Sequence, residues 1–156
     1  MKECILILDN IRSVENTGSI FRTADCLGVS KIILVGTTPA PIDRFGRKRK
    51  DFSKVSLGAE EFVKWEQTDN IQSTINNLKK EGYKIIALEQ DKKSKKLNNF
   101  EANKLGKFVL IVGNEVDGIP RVTLGKCDEI LEIEMKGQKE SINVSVATGI
   151  ALFNLI

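Results

Sequence analysis

The chain has 156 residues, of which 41% are hydrophobic and 29% charged, and its net charge is +3. This is the composition of a globular protein with a core of ordinary size, and we expect a single domain over residues 1–156, in the cytoplasm. A membrane span is excluded because no apolar run is long enough, and the short block Ile5 to Leu8 is too brief for a signal-peptide core.

In chain order, short β-branched apolar runs alternate with helical patterns. A first strand is predicted over Cys4 to Leu8. A helix follows over Asn16 to Leu27, with Ile20, Ala24 and Leu27 at helical spacing and Gly28 as its stop. The next strand is Lys31 to Val35. A long polar connection, Gly36 to Leu57, contains PIDRFGRKRKDFSK, in which six basic residues face two acidic ones. There Arg44, Arg47 and Arg49 interleave with Phe45 and Phe52, a pattern suited to holding phosphates and stacking on bases. Asp69 to Glu81 reads as a helix ending at Gly82, and Lys84 to Leu88 as a strand. A second polar loop, Gln90 to Lys107, carries Lys92, Lys93, Lys95 and Lys96. Two further strands are predicted over Phe108 to Val112 and Ile130 to Ile133. The fold class expected is α/β, a mostly parallel sheet flanked by helices.

The last helix, SINVSVATGIALFNLI, is apolar on two faces. On a wheel at 100° per residue, Ile142, Val146, Ile150 and Phe153 form one, and Val144, Ala147, Ala151 and Leu155 the other. A helix of this kind is expected to be covered on both sides, which predicts a homodimer. Its position at the end of the chain also leaves open a short natural extension beyond Ile156.

Histidine is absent, which removes the commonest general base, the triads built on it and the usual metal ligand. Cys4, Cys26 and Cys127 are odd in number and lack C-x-x-C pairing, so reduced, buried thiols are expected, with no disulfide and no metal. The P-loop pattern is missing, and LDNIRSVENTGSIFR after the first strand does not match the Rossmann G-x-G-x-x-G. Instead Gly113-Asn114-Glu115 ends a strong strand and is followed by Gly118, Ile119 and Pro120. Open α/β sheets bind ligands at such strand ends.

Three blocks, NIRSVENTGSIFRTADCLGV from Asn10, LIVGNEVDGIP from Leu110 and IEMKGQKESINVSVATGIAL from Ile133, together resemble the SpoU family of RNA ribose 2′-O-methyltransferases, in the knotted SPOUT class. KVSLGAEEFVKWE at Lys54 also looks like a recurrent family segment. The resemblance covers essentially the whole chain. It implies a C-terminal deep trefoil knot, a bent S-adenosylmethionine held by the knotted loops, and an active site at a dimer interface.

Carried over by motif, it implies Asn16, Arg22, Glu115, Ser141 and Asn143 as catalytic residues and Leu88, Gly113, Ile133, Met135 and Ile142 as cofactor contacts. Without the motif, Arg22, about 200° from Ile20 on the wheel, would be a solvated arginine. Asn16 and Ser141 would be helix caps, and Glu115 a surface carboxylate. The family's proline is replaced by Glu134, which bears on the shape of that loop. Arg12, Arg44, Arg47, Arg49 and Lys54, with Lys48 and Lys50 nearby, are the candidates for RNA phosphates. Transfer RNA is expected over ribosomal RNA, recognised by the dimer surface. A silent RNA-binding homologue and a knotted methyltransferase acting on a base remain the alternatives.

Overall fold

The near-continuous apolar runs can be satisfied only if both faces of their sheet are covered. The computed structural model, which describes residues 2–156, shows this arrangement. Its strands are β1 (Glu3–Asp9), β2 (Lys31–Val35), β3 (Lys64–Thr68), β4 (Lys84–Leu88), β5 (Lys95–Lys96), β6 (Lys107–Val112) and β7 (Glu129–Glu132). They form one sheet in the order β3-β2-β1-β6-β4-β7-β5, and every pairing is parallel. The helices are α1 (Val14–Cys26), α2 (Lys50–Ser56), α3 (Ile71–Lys80), α4 (Arg121–Leu124) and α5 (Val144–Leu155).

Alternation along the strands sends successive side chains to opposite faces. Leu6, Leu8, Ile32, Leu34, Leu110 and Val112 join Ile20 and Phe21 of α1, Phe52 of α2 and Leu152 and Leu155 of α5 in one buried cluster. Ile5, Ile7, Ile33, Ile85, Val109 and Ile111 join Ile75 and Leu78 of α3 and Leu124 of α4 in the other. Among the described residues no helix is long and apolar enough to cross a membrane.

Several local expectations are corrected. The connection after β2 contains α2, whose Phe52 is fully buried against Phe21, ring centroids 5.1 Å apart in an edge-on arrangement. Phe52 is therefore a core anchor and is not available to a base. Strand β3 escapes the apolar pattern because KWEQT is a mostly exposed edge strand, whose polar side chains leave little periodic signal. Helix α1 starts at Val14 because the Ser13 hydroxyl accepts the Asn16 N–H at 3.0 Å. Asn16 thus lies inside the first turn and is not its cap. Helix α5 is capped by Asn143, whose Oδ1 accepts the Ser145 N–H at 2.8 Å, and not by Ser141.

The two apolar faces of α5 have different fates in this chain. Ala151 and Leu155 are fully buried, with Val144 and Ala147 half-buried, whereas Val146, Ile150 and Phe153 are 53%, 43% and 78% exposed. The expectation of uniformly buried thiols also fails: Cys4 is buried, Cys127 half-buried and Cys26 exposed near the end of α1. Burial pushes the Cys4 thiol up to about 12 and Cys127 to about 11. Since the thiolate is the reactive form, Cys26 is expected to react with a disulfide reagent at pH 8 in the native protein, while Cys4 reacts only on unfolding. Mass-spectrometric mapping of the labelled cysteines checks this.

Candidate functional site

Because all strands are parallel, the loops that follow β1, β2, β4, β6 and β7 leave the sheet at one edge. Strand order reverses between β1 and β6, and a crevice at such a switch point is where open α/β sheets receive ligands. The loop after β6 begins with Gly113, where a Cβ would stand 2.6 Å from the Gly118 carbonyl carbon and 2.7 Å from the Ile119 nitrogen. Only a hydrogen fits there. Asn114 shapes the turn: its Oδ1 accepts the N–H groups of Val116 (2.8 Å) and Asp117 (3.0 Å), and its carbonyl accepts Gly118 N–H. Gly118 completes the turn at φ +70, a conformation that favours glycine.

Three contacts stitch this loop to its neighbours. Asn114 Nδ2 donates to the Asn10 carbonyl at 2.8 Å, and the Arg12 N–H donates to the Glu115 carboxylate at 3.2 and 3.4 Å. From the end of β4, Glu89 accepts the Ile119 N–H at 2.8 Å and the Gln90 N–H at 3.0 Å. Gln90 Nε2 in turn donates to the Glu140 carbonyl at 2.9 Å, tying in the segment between β7 and α5. At the rim, Arg121 pairs with Asp91 at 2.6 Å. The Lys93 N–H and this guanidinium hold the Asp91 carboxyl below its ordinary range.

These loops enclose a cavity of about 1020 Å³. Asn16, Glu115, Ser141 and Asn143 line it, as do Leu88, Gly113, Ile133, Met135 and Ile142, so every expected cofactor contact converges on one place. Asn143 Nδ2 donates to Asn16 Oδ1 at 3.0 Å, joining the first turns of α5 and α1. Arg22 is the exception. It is exposed on α1, beyond the cavity's lining.

Of the phosphate candidates, Arg12 is exposed beside Glu115, and Arg44, Arg47 and Lys54 are exposed on the segment after β2. Arg49 is half-buried and paired with Asp51 at 2.7 Å.

Sequence reasoning missed Glu89, Gln90 and Asn114 as organisers of the site. Their signal is positional: each follows directly on the carboxyl end of a strand or its first loop residue, where α/β folds keep their ligand loops. Asp9, at the end of β1, is buried with Oδ2 lacking a hydrogen-bond partner among the described residues, and burial pushes its carboxyl up.

The Gly113 packing yields a direct expectation. Gly113→Ala must displace backbone, since two of the three atoms in the way, the Gly118 carbonyl carbon and the Ile119 nitrogen, belong to it, and overpacking of this kind costs about 1–3 kcal/mol. Thermal unfolding should show a midpoint several degrees lower, whereas Gly137→Ala, with open space around its Cα, should leave it nearly unchanged.

Comparison with known proteins agrees with this geometry. The sequence model of the SpoU rRNA Methylase family matches residues 3–153. The 23S rRNA (guanosine-2′-O-)-methyltransferase RlmB of Escherichia coli is 33% identical over 152 residues, covering 97% of this chain and 59% of that protein. Its counterpart in Vibrio vulnificus is 32% identical, with 58% of its length covered. The chain therefore spans less than two thirds of the length of these relatives. Among solved structures, an AdoMet-bound rRNA methyltransferase from Sinorhizobium meliloti superposes with a TM-score of 0.85 at 27% identity, over 98% of this chain and 55% of that one. The TrmH/SpoU tRNA modifying enzyme of A. aeolicus gives 0.83 at 30% identity, over 99% and 74%. With the family's sequence pattern matched almost end to end and the same parallel sheet beneath it, the chain belongs to the SpoU rRNA Methylase family.

Proposed function

We propose that residues 1–156 form one SpoU-type methyltransferase domain that moves a methyl group from S-adenosylmethionine to a ribose 2′-hydroxyl of RNA in the cytoplasm. The observation that carries this reading is the convergence of Asn16, Glu115, Ser141 and Asn143 with four apolar side chains on one cavity floored by Gly113. Ribosomal RNA is the substrate class we favour. The names of the RlmB relatives and of the family point that way, against the transfer RNA expected from the sequence. Neither a silent RNA-binding homologue nor a base-directed enzyme draws support from these relatives.

The residues fit the cofactor. Leu88, Ile133, Met135 and Ile142 offer apolar surface suited to an uncharged adenine, and the cavity is of the size such ligands need. S-adenosylmethionine supplies an electrophilic sulfonium methyl there. What the chain must add is alignment and charge stabilisation. The Asn143 side chain caps α5 and donates to Asn16, so it is a positioning residue. Ser141 and Glu115 present polar atoms to the same cavity, where they would orient the ribose. Arg22 presents a guanidinium, which donates hydrogen bonds and has no lone pair to accept a proton, and so acts by holding the substrate and stabilising the forming alkoxide. The hydroxyl proton leaves to a phosphate oxygen of the RNA or to water.

We place Arg22 at the cleft of a second copy. It stands on α1 next to Thr23, whose methyl carbon lies 3.6 Å from where a Cβ of Gly149 on α5 would be, and the exposed face of α5 continues alongside. Covering Val146, Ile150 and Phe153 with the same face of another chain makes a homodimer and brings Arg22 to the partner. The trefoil knot belongs to this reading as well. The segment from 133 to 143 lines the cavity with the loops after β4 and β6 before α5 packs on α1, as a threaded C-terminus would.

The test is transfer of labelled methyl to separated ribosomal and transfer RNA, with nucleoside analysis. Labelled 2′-O-methylribose is expected in ribosomal RNA, with Arg22→Ala slower by about 10²–10³-fold, as for loss of one charge-stabilising donor. A methylated base, or no transfer to either RNA, overturns the proposal. For the dimer, Phe153→Asp is expected to sediment as a monomer where the unaltered chain sediments as a dimer.

A further inference from the structure

Between β2 and α2 the chain makes a turn more tightly built than a connector needs. Ile42 and Lys48 form an antiparallel bridge, and the Arg49 N–H donates to the Pro41 carbonyl at 2.9 Å. Inside it, Asp43 accepts three hydrogen bonds: from the Phe45 N–H at 2.8 Å, the Arg47 N–H at 3.0 Å and Arg47 Nε at 2.9 Å. Gly46 closes the tip at φ +78, its N–H bonded to the Asp43 carbonyl. The Asp43 carboxyl is held below its ordinary range by these donors, the Arg47 N–H foremost.

This framework exposes a phenylalanine. Phe45 is 67% exposed, whereas Phe21, Phe52 and Phe108 are fully buried. Its ring carries two guanidinium groups, Arg44 at 4.8 Å and Arg47 at 5.0 Å from the centroid. Arg47 is committed to Asp43, while Arg44 has no carboxylate partner among the described residues. An exposed ring on a pre-ordered tip, flanked by cations, combines a stacking surface with a phosphate contact at little ordering cost.

We propose that Phe45 is a base-stacking platform for an unpaired nucleotide of the RNA, with Arg44 holding the adjoining phosphate. This deepens the RNA reading above and rests on it. The charge argues for that occupant. Residues 41–54 hold six basic and two acidic side chains, which attract a polyanion and repel a second copy of the same segment. The turn leaves β2 at the same sheet edge as the cavity, and α2 docks on α1 through Phe52 and Phe21, so the platform is fixed relative to the helix that bears Asn16 and Arg22.

The experiment measures binding and not methylation, which separates this inference from the enzyme assignment. The probes are a single-stranded oligoribonucleotide of about 12 nucleotides, a duplex of the same sequence, and tripolyphosphate. Phe45→Ala and Phe45→Leu are expected to weaken the single strand by roughly 5- to 150-fold, the range for loss of one stacked base. Duplex and tripolyphosphate binding should change little. Phe45→Trp should retain affinity and show fluorescence quenching by the single strand, measured against the unaltered chain, whose one tryptophan is Trp65. Unchanged single-strand affinity in Phe45→Ala overturns the proposal, as does an equal loss for single strand and duplex. A change of oligomeric state with RNA affinity intact would instead make the ring a contact between copies. If the unaltered chain binds no single strand yet methylates RNA, the platform falls and the enzyme reading stands.

Discussion

The pairing of β1 with β6 in the middle of the sheet sets two loops side by side that are about a hundred residues apart in sequence. Parallel register puts Leu8 opposite Val112, so the next residues of both strands leave the sheet together. Asn10 and Arg12 then meet Asn114 and Glu115 through three donor–acceptor contacts. Displacing this register by one residue would send every apolar side chain of a central strand to the wrong face, so burial on both faces holds it firmly. The cavity thus inherits its precision from the core.

The walls of the cavity are fixed by hydrogen bonds that its own lining residues make to the backbone around them. Glu89 spends its carboxylate on backbone N–H groups of the neighbouring loops, and Asn114 spends its amide on its own turn and on Asn10. The backbone N–H groups of these turns find their partners in side chains at the adjacent strand ends. Glycine at 113 lets the Gly118–Ile119 backbone approach closely, and glycine at 118 leaves room for the Glu89 carboxylate. The result is a floor under side chains of mixed character, with Leu88, Ile133, Met135 and Ile142 apolar and Asn16, Glu89, Glu115, Ser141 and Asn143 polar. A pre-ordered floor of this kind suits a reaction that needs alignment more than acid–base machinery.

Helices α1 and α5 link the site to the molecular surface. Their first turns meet through Asn16 and Asn143 at the cavity, while farther along α5 the apolar side chains Val146, Ile150 and Phe153 emerge into the open. The helix therefore has one face in the core and one apolar face that this chain leaves exposed. Helix α2, packed beside α1 by Phe52, carries the basic turn with it. Hydrophobic packing of three helices on one sheet face thus determines where the cavity, the apolar surface and the positive charge stand relative to one another.

By itself the sequence determined the apolar strands, because runs such as Lys31 to Val35 and Phe108 to Val112 can be satisfied only inside a two-sided sheet. It also determined the family, since its three motifs occur in order. Polar and short elements were not legible. Strand β3 lacks an apolar pattern because it lies at an edge, and α2 hides in a basic stretch because one phenylalanine anchors it. The caps of α1 and α5 were not legible because Ser13, Asn16, Ser141 and Asn143 are all chemically able to cap. Which one does so depends on where tertiary packing lets each helix begin. Tertiary structure alone decided that Glu89 and Asn114 organise the site and that Arg22 stands outside its own chain's cavity. Those facts arise from contacts between distant segments, and they form only when the sheet brings its strand ends together.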